Sequence, residues 1–206
     1  MPREYAKTAG VRRTIVIACA AAFGESGFHG ASMAEIARRA GISHTGLLHH
    51  FPRKENLLTA VLELQDERSA SFLREHGTFG PERDPVIVLR GMVRTLVERD
   101  RHAGLVELGA VLTGEAAASA HPAHDHFARR YADIRRFLSR LYVRLQAEGR
   151  LAGEVSPDEL AAATIALSEG LHLQWLYSSD RRPDVDTVLI AVLGSFVPEL
   201  RGYGEE

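Results

Sequence analysis

Three groups of residues carry enough chemistry to weigh: His44, His49 and His50 with Thr45 among them, His121, His124 and His126 around Asp125, and the pair Glu169-x-x-His172. Imidazole and carboxylate together suit several transition metals. Positions 121 and 124 share a helical face that 126 does not, and Pro122 marks a helix start, so an exposed histidine-rich turn is expected there. Glu169-x-x-His172 is half of a di-iron ligand set, which needs a second Glu-x-x-His and two more glutamates on facing helices. No second copy exists in this chain. The single Cys19 excludes an internal disulfide framework and a cysteine-based zinc site, and fits a reducing compartment. Among Ala18, Ala22 and Phe23 it reads as a small buried hydrophobe. No Gly-rich phosphate loop, strand pattern or internal repeat stands out, so no metal, cofactor or catalytic residue is expected.

The first histidine group sits in a different frame, Ser32 to Phe51. Ser32 and Glu35 form an S-x-x-E capping box ahead of Ile36, Ala37 and Ala40, which make one dry helix face. Gly41 follows, where a left-handed backbone ends a helix without a Cβ penalty. Ser43 caps a second short helix whose Leu47 and Phe51 face inward. Helix, glycine turn and second helix within about twenty residues make the helix-turn-helix that lays its second helix in the DNA major groove. The plainer reading is a helical hairpin inside an all-helical protein. Charge bears on the choice. Residues 1–54 hold eight basic against three acidic side chains, a net of +5, while the remainder, with seventeen against twenty-four, carries −7. A basic head on an acidic body suggests that the head alone meets a polyanion.

The elements that must position this hairpin are all helical. A first helix runs from about Thr8 to Ser26 and ends at Gly27, with Phe28 to Ala31 as a loop. Its Val11, Ile15, Ala18, Cys19, Ala22 and Phe23 recur at helical spacing, so the apolar run after Arg12-Arg13 reads as a buried helix of a cytoplasmic protein, not a signal peptide. After Phe51-Pro52 a fourth helix spans Lys54 to about Glu75, and 76–83 reads as a joint. Asp84-Pro85 starts a fifth helix, a sixth over about 105–118 is interrupted by Gly109 and Gly114, and His121-Pro122 opens a seventh to Gly149. Ser156-Pro157-Asp158-Glu159 is the strongest helix start in the chain. The helices that follow, about 157–178 and 185–197, are apolar on nearly every side, which a partner subunit explains economically.

The motifs now have an order. Phe23-Gly24-Glu25-Ser26-Gly27-Phe28, Ser32-Met33-Ala34-Glu35-Ile36-Ala37, Ala40-Gly41-Ile42-Ser43 and Leu47-Leu48-His49-His50-Phe51-Pro52-Arg53-Lys54-Glu55-Asn56-Leu57-Leu58 follow one another at fixed spacing. The first sixty-odd residues resemble the TetR family of bacterial one-component transcriptional regulators, and Gly170-Leu171-x-x-Gln174-Trp175 looks like the dimer-forming helix of many members. The resemblance implies an all-α homodimer without catalytic activity: a helix-turn-helix head, 8–68, and a helical ligand-binding and dimerisation body, 76–203. Members typically repress a promoter, bound to a palindromic operator in double-stranded DNA, until a small molecule enters the body. Carried over by position, Ser32 and Met33 lie at the DNA, with Ser32 capping its helix against a phosphate. Ser43, His44, Thr45 and Gly46 start the recognition helix, His49 and His50 face the duplex, and Lys54 holds a phosphate. Leu48 departs from the tyrosine of many members, so a phosphate-binding hydroxyl is absent. Gly46 is unusual inside a short helix, explained by close approach of backbone to DNA or by local weakness relieved on binding.

Side chains at the start of a recognition helix reach base edges most easily, which makes His44 and Thr45 the base readers. Three histidines beside a polyanion also suggest proton uptake on binding, unless His50 packs neutral against the head. In the body, Met92, His102, Glu107, Phe127, Tyr131, Glu169, His172 and Trp175 break apolar faces and are candidate pocket residues. The competing function is a helical-bundle small-molecule or metal-binding protein whose N-terminal hairpin is structural.

Overall fold

A computed structural model describes residues 2–75, 83–100, 103–178 and 183–201. Among them the chain is all-α: α1 Pro2–Gly30, α2 Met33–Arg39, α3 His44–His50, α4 Lys54–Glu75, α5 Pro85–Asp100, α6 Ala103–Ala116, α7 His124–Ala147, α8 Pro157–Tyr177 and α9 Val185–Leu193, then a 3-10 turn Pro198–Leu200. The joint expected over 76–83 lies, except for Arg83, outside the described residues, as does His102. No described helix is long and apolar enough to cross a membrane.

The chain divides into two compact units, Met1–Arg68 with Glu107–Phe127, and Ser69–Val106 with Ala128–Glu206. Residues 107–127, which the sequence places in the body, therefore cluster with the head. In the first unit α1 starts six residues earlier than expected and breaks at Gly27 (φ 70°, ψ 177°). The segment expected as a loop after it continues as helix to Gly30. That backbone conformation is essentially reserved for glycine. The break leaves the Phe28 N–H without a helical partner, and the Glu115 carboxylate from α6 accepts it at 2.6 Å. Any Cβ on Gly27 would collide with the same carboxylate. Around this joint Ile15, Cys19, Phe23, Phe28, Ile36, Leu47, Phe51, Leu57, Leu58 and Val61 are buried. Burial pushes the Cys19 thiol far above its ordinary range, in keeping with a small hydrophobe.

In the second unit α5, α7, α8 and α9 enclose one apolar core, with Leu89, Val93, Leu138, Leu145, Leu160, Leu171, Leu189 and Leu193 at its centre. Tyr142 is buried and donates to Thr164, whose hydroxyl donates to the Leu160 carbonyl. Burial pushes the Tyr142 phenol up to about 12. Arg150 forks onto Asp84 at 2.8 Å and Glu199 at 2.5 Å, tying the start of α5 to the 3-10 turn. The start of α8 carries the full capping box: Ser156 Oγ accepts from Glu159 N, and Glu159 Oε2 accepts from Ser156 N. Two expectations need correction. Gly109 and Gly114 do not interrupt α6, because helix propensity of one glycine is a small term beside a buried face. And α7 begins at His124, after a turn in which His121 Nδ1 accepts the Ala123 N–H.

Replacing Gly27 with alanine forces a Cβ both into a glycine-only conformation and onto the Glu115 carboxylate. The expected loss is about 2 kcal/mol or more, read as a lower urea midpoint; an unchanged midpoint would contradict the role given to this joint.

Candidate nucleic-acid interface

Isolated helices of seven residues are not stable in water, so α2 and α3 must be held from outside. Ser32 caps α2 by accepting the Glu35 N–H at 3.1 Å. Only half of the expected capping box forms. The Glu35 carboxylate turns instead to Arg38 and Arg39, whose hydrogen bonds, Arg38 first, bring it down to about 2. Arg39 also reaches back to Glu25 of α1 through two bonds of 2.6 and 2.7 Å, so α2 is pinned to α1 by a bidentate pair. Gly41 takes φ 69° as expected. The Ile42 N–H returns to the Ala37 carbonyl at 3.0 Å, which closes the helix end.

Ser43 caps α3 by accepting from the Gly46 N–H at 3.0 Å. A Cβ at position 46 would stand 3.1 Å from that hydroxyl, so the glycine relieves crowding at the cap. At the other end Arg12 of α1 donates to the His50 carbonyl at 2.8 Å, and its guanidinium lies 4.2 Å from the centre of the Phe51 ring. Leu47 and Phe51 are buried beneath. The inner face and both ends are thus fixed by residues other than those that point outward. The outward residues are His44, Thr45, Leu48 and His49, all exposed. Met33, Gly46 and His50 are half-buried, Ser32 and Ser43 are exposed, and the His49 and His50 rings meet edge-on at 5.6 Å.

Lys54, expected at a phosphate, also has partners within the chain. Its ammonium donates to the carbonyls of His29 (3.3 Å) and Ala31 (3.0 Å) and lies 4.7 Å from the centre of the Phe28 ring. It closes the end of α1 before it meets anything outside. Local spacing does not reveal the anchoring roles of Arg12 and Glu115. Arg12 and Glu115 act across 38 and 87 residues of chain, a distance over which local spacing carries no signal.

The histidine-rich turn is not an exposed one. The His121 side chain is 1% exposed and packs edge-on against Phe28 and His29 at 5.2 and 5.4 Å. His124 Nδ1 meets the Ala116 carbonyl at 2.8 Å, and His126 lies 3.7 Å from Asp66. Among the described residues no group of three histidine, cysteine or acidic side chains is arranged to hold a metal ion. Of the residues expected around a ligand, Glu107 and Phe127 fall in the first unit and Met92, Tyr131, Glu169, His172 and Trp175 in the second. Tyr131 donates to Glu169. Glu169 is exposed whereas His172 is buried against the Ser168 carbonyl at 2.7 Å, so these two do not converge. Trp175 is buried and Met92 half-buried against the core.

His121 supplies a pH test. Burial lowers its proton affinity, partly offset by Glu115 at 3.8 Å, and protonating Nδ1 would destroy the bond from Ala123. The unfolded chain takes up the proton first, so stability is fully present above about pH 6.5 and falls as pH drops toward the lowered folded-state value. His121→Asn keeps an acceptor for the Ala123 N–H but cannot titrate there. Unfolding midpoints measured from pH 7.5 to 5 are expected to fall less steeply in this variant; identical slopes would remove His121 from the account.

Comparison with known proteins agrees with this geometry. Residues 15–61 match the model of the bacterial regulatory proteins of the tetR family, and 87–201, more than half of the chain, match that of the BetI-type transcriptional repressor C-terminal domain. The HTH-type transcriptional regulator RutR of Escherichia coli (strain K12) is 45% identical over 51 residues, 25% of this chain and 24% of that protein. The chain therefore spans about a quarter of the length of this curated relative. A TetR family regulator from Agrobacterium tumefaciens superposes with a TM-score of 0.73 at 19% identity, over 95% of this chain and 98% of that one. AibR, solved in complex with isovaleryl coenzyme A and operator DNA, gives 0.70 at 23% identity over 91% and 98%. Motif order, hairpin geometry and both family models lead to one conclusion: the chain belongs to the TetR family.

Proposed function

We propose that the chain is a ligand-responsive DNA-binding regulator, a repressor that binds a palindromic operator as a homodimer and leaves it when a small molecule binds the body. The observation that carries the reading is the outward face of α3. His44, Thr45, Leu48 and His49 are exposed on a helix whose inner side and ends are fixed by Leu47, Phe51, Ser43 and Arg12. A seven-residue helix so firmly held, in a segment, residues 1–54, of net charge +5, is built to present side chains to a polyanion. Such a protein works in the bacterial cytoplasm. His44 and Thr45 read base edges, while Ser32, Met33, Ser43, Gly46, His49 and His50 line the approach to the backbone. Lys54 serves the same surface by fixing the end of α1.

Dimerisation through α8 and α9 is supported by what these helices leave uncovered. Leu173 is 48% exposed, Tyr177 85% and Val192 41%, although both helices also bury a full face on their own core. A second copy laid against that stripe would bury it and pair two heads on one palindrome. Release would begin in the second unit, where Met92, His172 and Trp175 lie, as part of the effector site. AibR, with its bound coenzyme A thioester, supports an effector site in such a body.

A gel shift with the DNA flanking the chain's own gene is expected to show a complex at a palindromic site. Its affinity should rise from pH 8 to pH 6, because the duplex favours the charged form of imidazoles at its surface. Absence of any complex at low salt would count against the reading; equal affinities and salt slopes at the two pH values would remove the proton-linked part alone.

A further inference from the structure

We propose that Leu48 reads thymine: with the Thr45 methyl beside it, its side chain meets the 5-methyl group of one thymine in each operator half-site. The inference rests on the DNA-reading role of α3 given above and names a feature of the sequence that role selects.

A single exposed leucine is ordinary on a protein surface. This one is distinguished by its place. Leu48 is 38% exposed, and it stands in the outward face of α3 with His44 four residues before it, Thr45 three before and His49 next to it. Residues three and four apart on a helix are surface neighbours, so the Leu48 side chain and the Thr45 methyl form one small apolar patch flanked by two imidazoles. The other large apolar residues of this segment, Leu47 and the closing Phe51, are buried. Leu48, by contrast, keeps more than a third of its surface open to solvent.

The chemistry of the major groove narrows its partner. Each base pair shows acceptors at purine N7, guanine O6 or thymine O4, and donors at the amino groups of adenine or cytosine. Pressing a leucine onto any of these strips water from a polar atom and returns no hydrogen bond. The apolar group displayed there is the thymine C5-methyl, and aliphatic side chains are its natural contact. Leucine has no donor, so a phosphate is equally unsuited to it. A patch of one isobutyl group and one methyl is sized for a single methyl, which commits it to one thymine per head and two per palindrome.

The test uses the full-length protein and a duplex pool with a randomised centre. Wild type is expected to enrich a palindrome with a fixed thymine in each half-site. Replacing that dT by dU, which pairs identically but lacks the methyl, is expected to weaken wild-type binding about fourfold per half-site. Leu48→Ala should bind the dT and dU duplexes alike, Leu48→Met should keep the preference, and Thr45→Ser should reduce it in part. Equal binding of dT and dU duplexes by wild type at every fixed thymine would overturn the proposal, as would full discrimination by Leu48→Ala. Failure of wild type to enrich any sequence would instead overturn the DNA-reading role itself, a different and separately visible result.

Discussion

The structure of the head depends on one hydrogen bond, from the Phe28 N–H to the Glu115 carboxylate at 2.6 Å. The chain must leave α1 sharply enough to start α2 two residues after its end, and it does so by breaking at Gly27. A break inside a helix strands a backbone donor, and a buried donor without a partner is costly. Glu115 occupies the space a side chain at Gly27 would fill and meets that donor. His121, Phe28 and His29 pack around the bond edge to face, and the Lys54 ammonium closes the carbonyls of His29 and Ala31. The entry into the helix-turn-helix is thus fixed partly by residues of α6 and the turn after it. This is why 107–127 belongs with the head.

From that joint outward the constraints become progressively lighter. Arg39 ties α2 back to Glu25, and Ser43, Leu47, Phe51 and Arg12 hold α3 at its start, inner face and end. None of these anchors belongs to the outward set of His44, Thr45, Leu48 and His49. The residues that hold this hairpin and those it displays are therefore separable, so the outward residues can vary while the framework is kept.

Where the fold is written locally, the sequence shows it. Ser32, Ser43 and Ser156 cap the helices that follow them, Gly41 and Gly149 take positive φ at helix ends, and α4 spans Lys54 to Glu75 as its apolar spacing requires. Each is a short-range device whose chemistry lies within a turn of chain. The misreadings share the opposite cause. His121 reads as a surface histidine beside a proline, yet it is buried because Phe28 and His29 arrive from another part of the chain. Lys54 reads as a phosphate ligand, and its contacts with carbonyls 23 and 25 residues away were not legible. Glu35 satisfies the capping-box pattern, but two arginines outcompete the backbone for it. At the outward face of α3 the polar residues and the departure at Leu48 were legible, while the exposure of Leu48 beside His44, Thr45 and His49 comes from the geometry.

The central claim is that the outward face of α3 and the entry to α2 meet DNA while the second unit does not. Hydrogen–deuterium exchange of the full chain, free and bound to its flanking DNA, tests it most directly. The account predicts slower amide exchange over residues 31–50 on binding, with α5, α8 and α9 unchanged. Protection confined to α7, α8 or α9, or none within 31–50 in a complex that demonstrably forms, would contradict it.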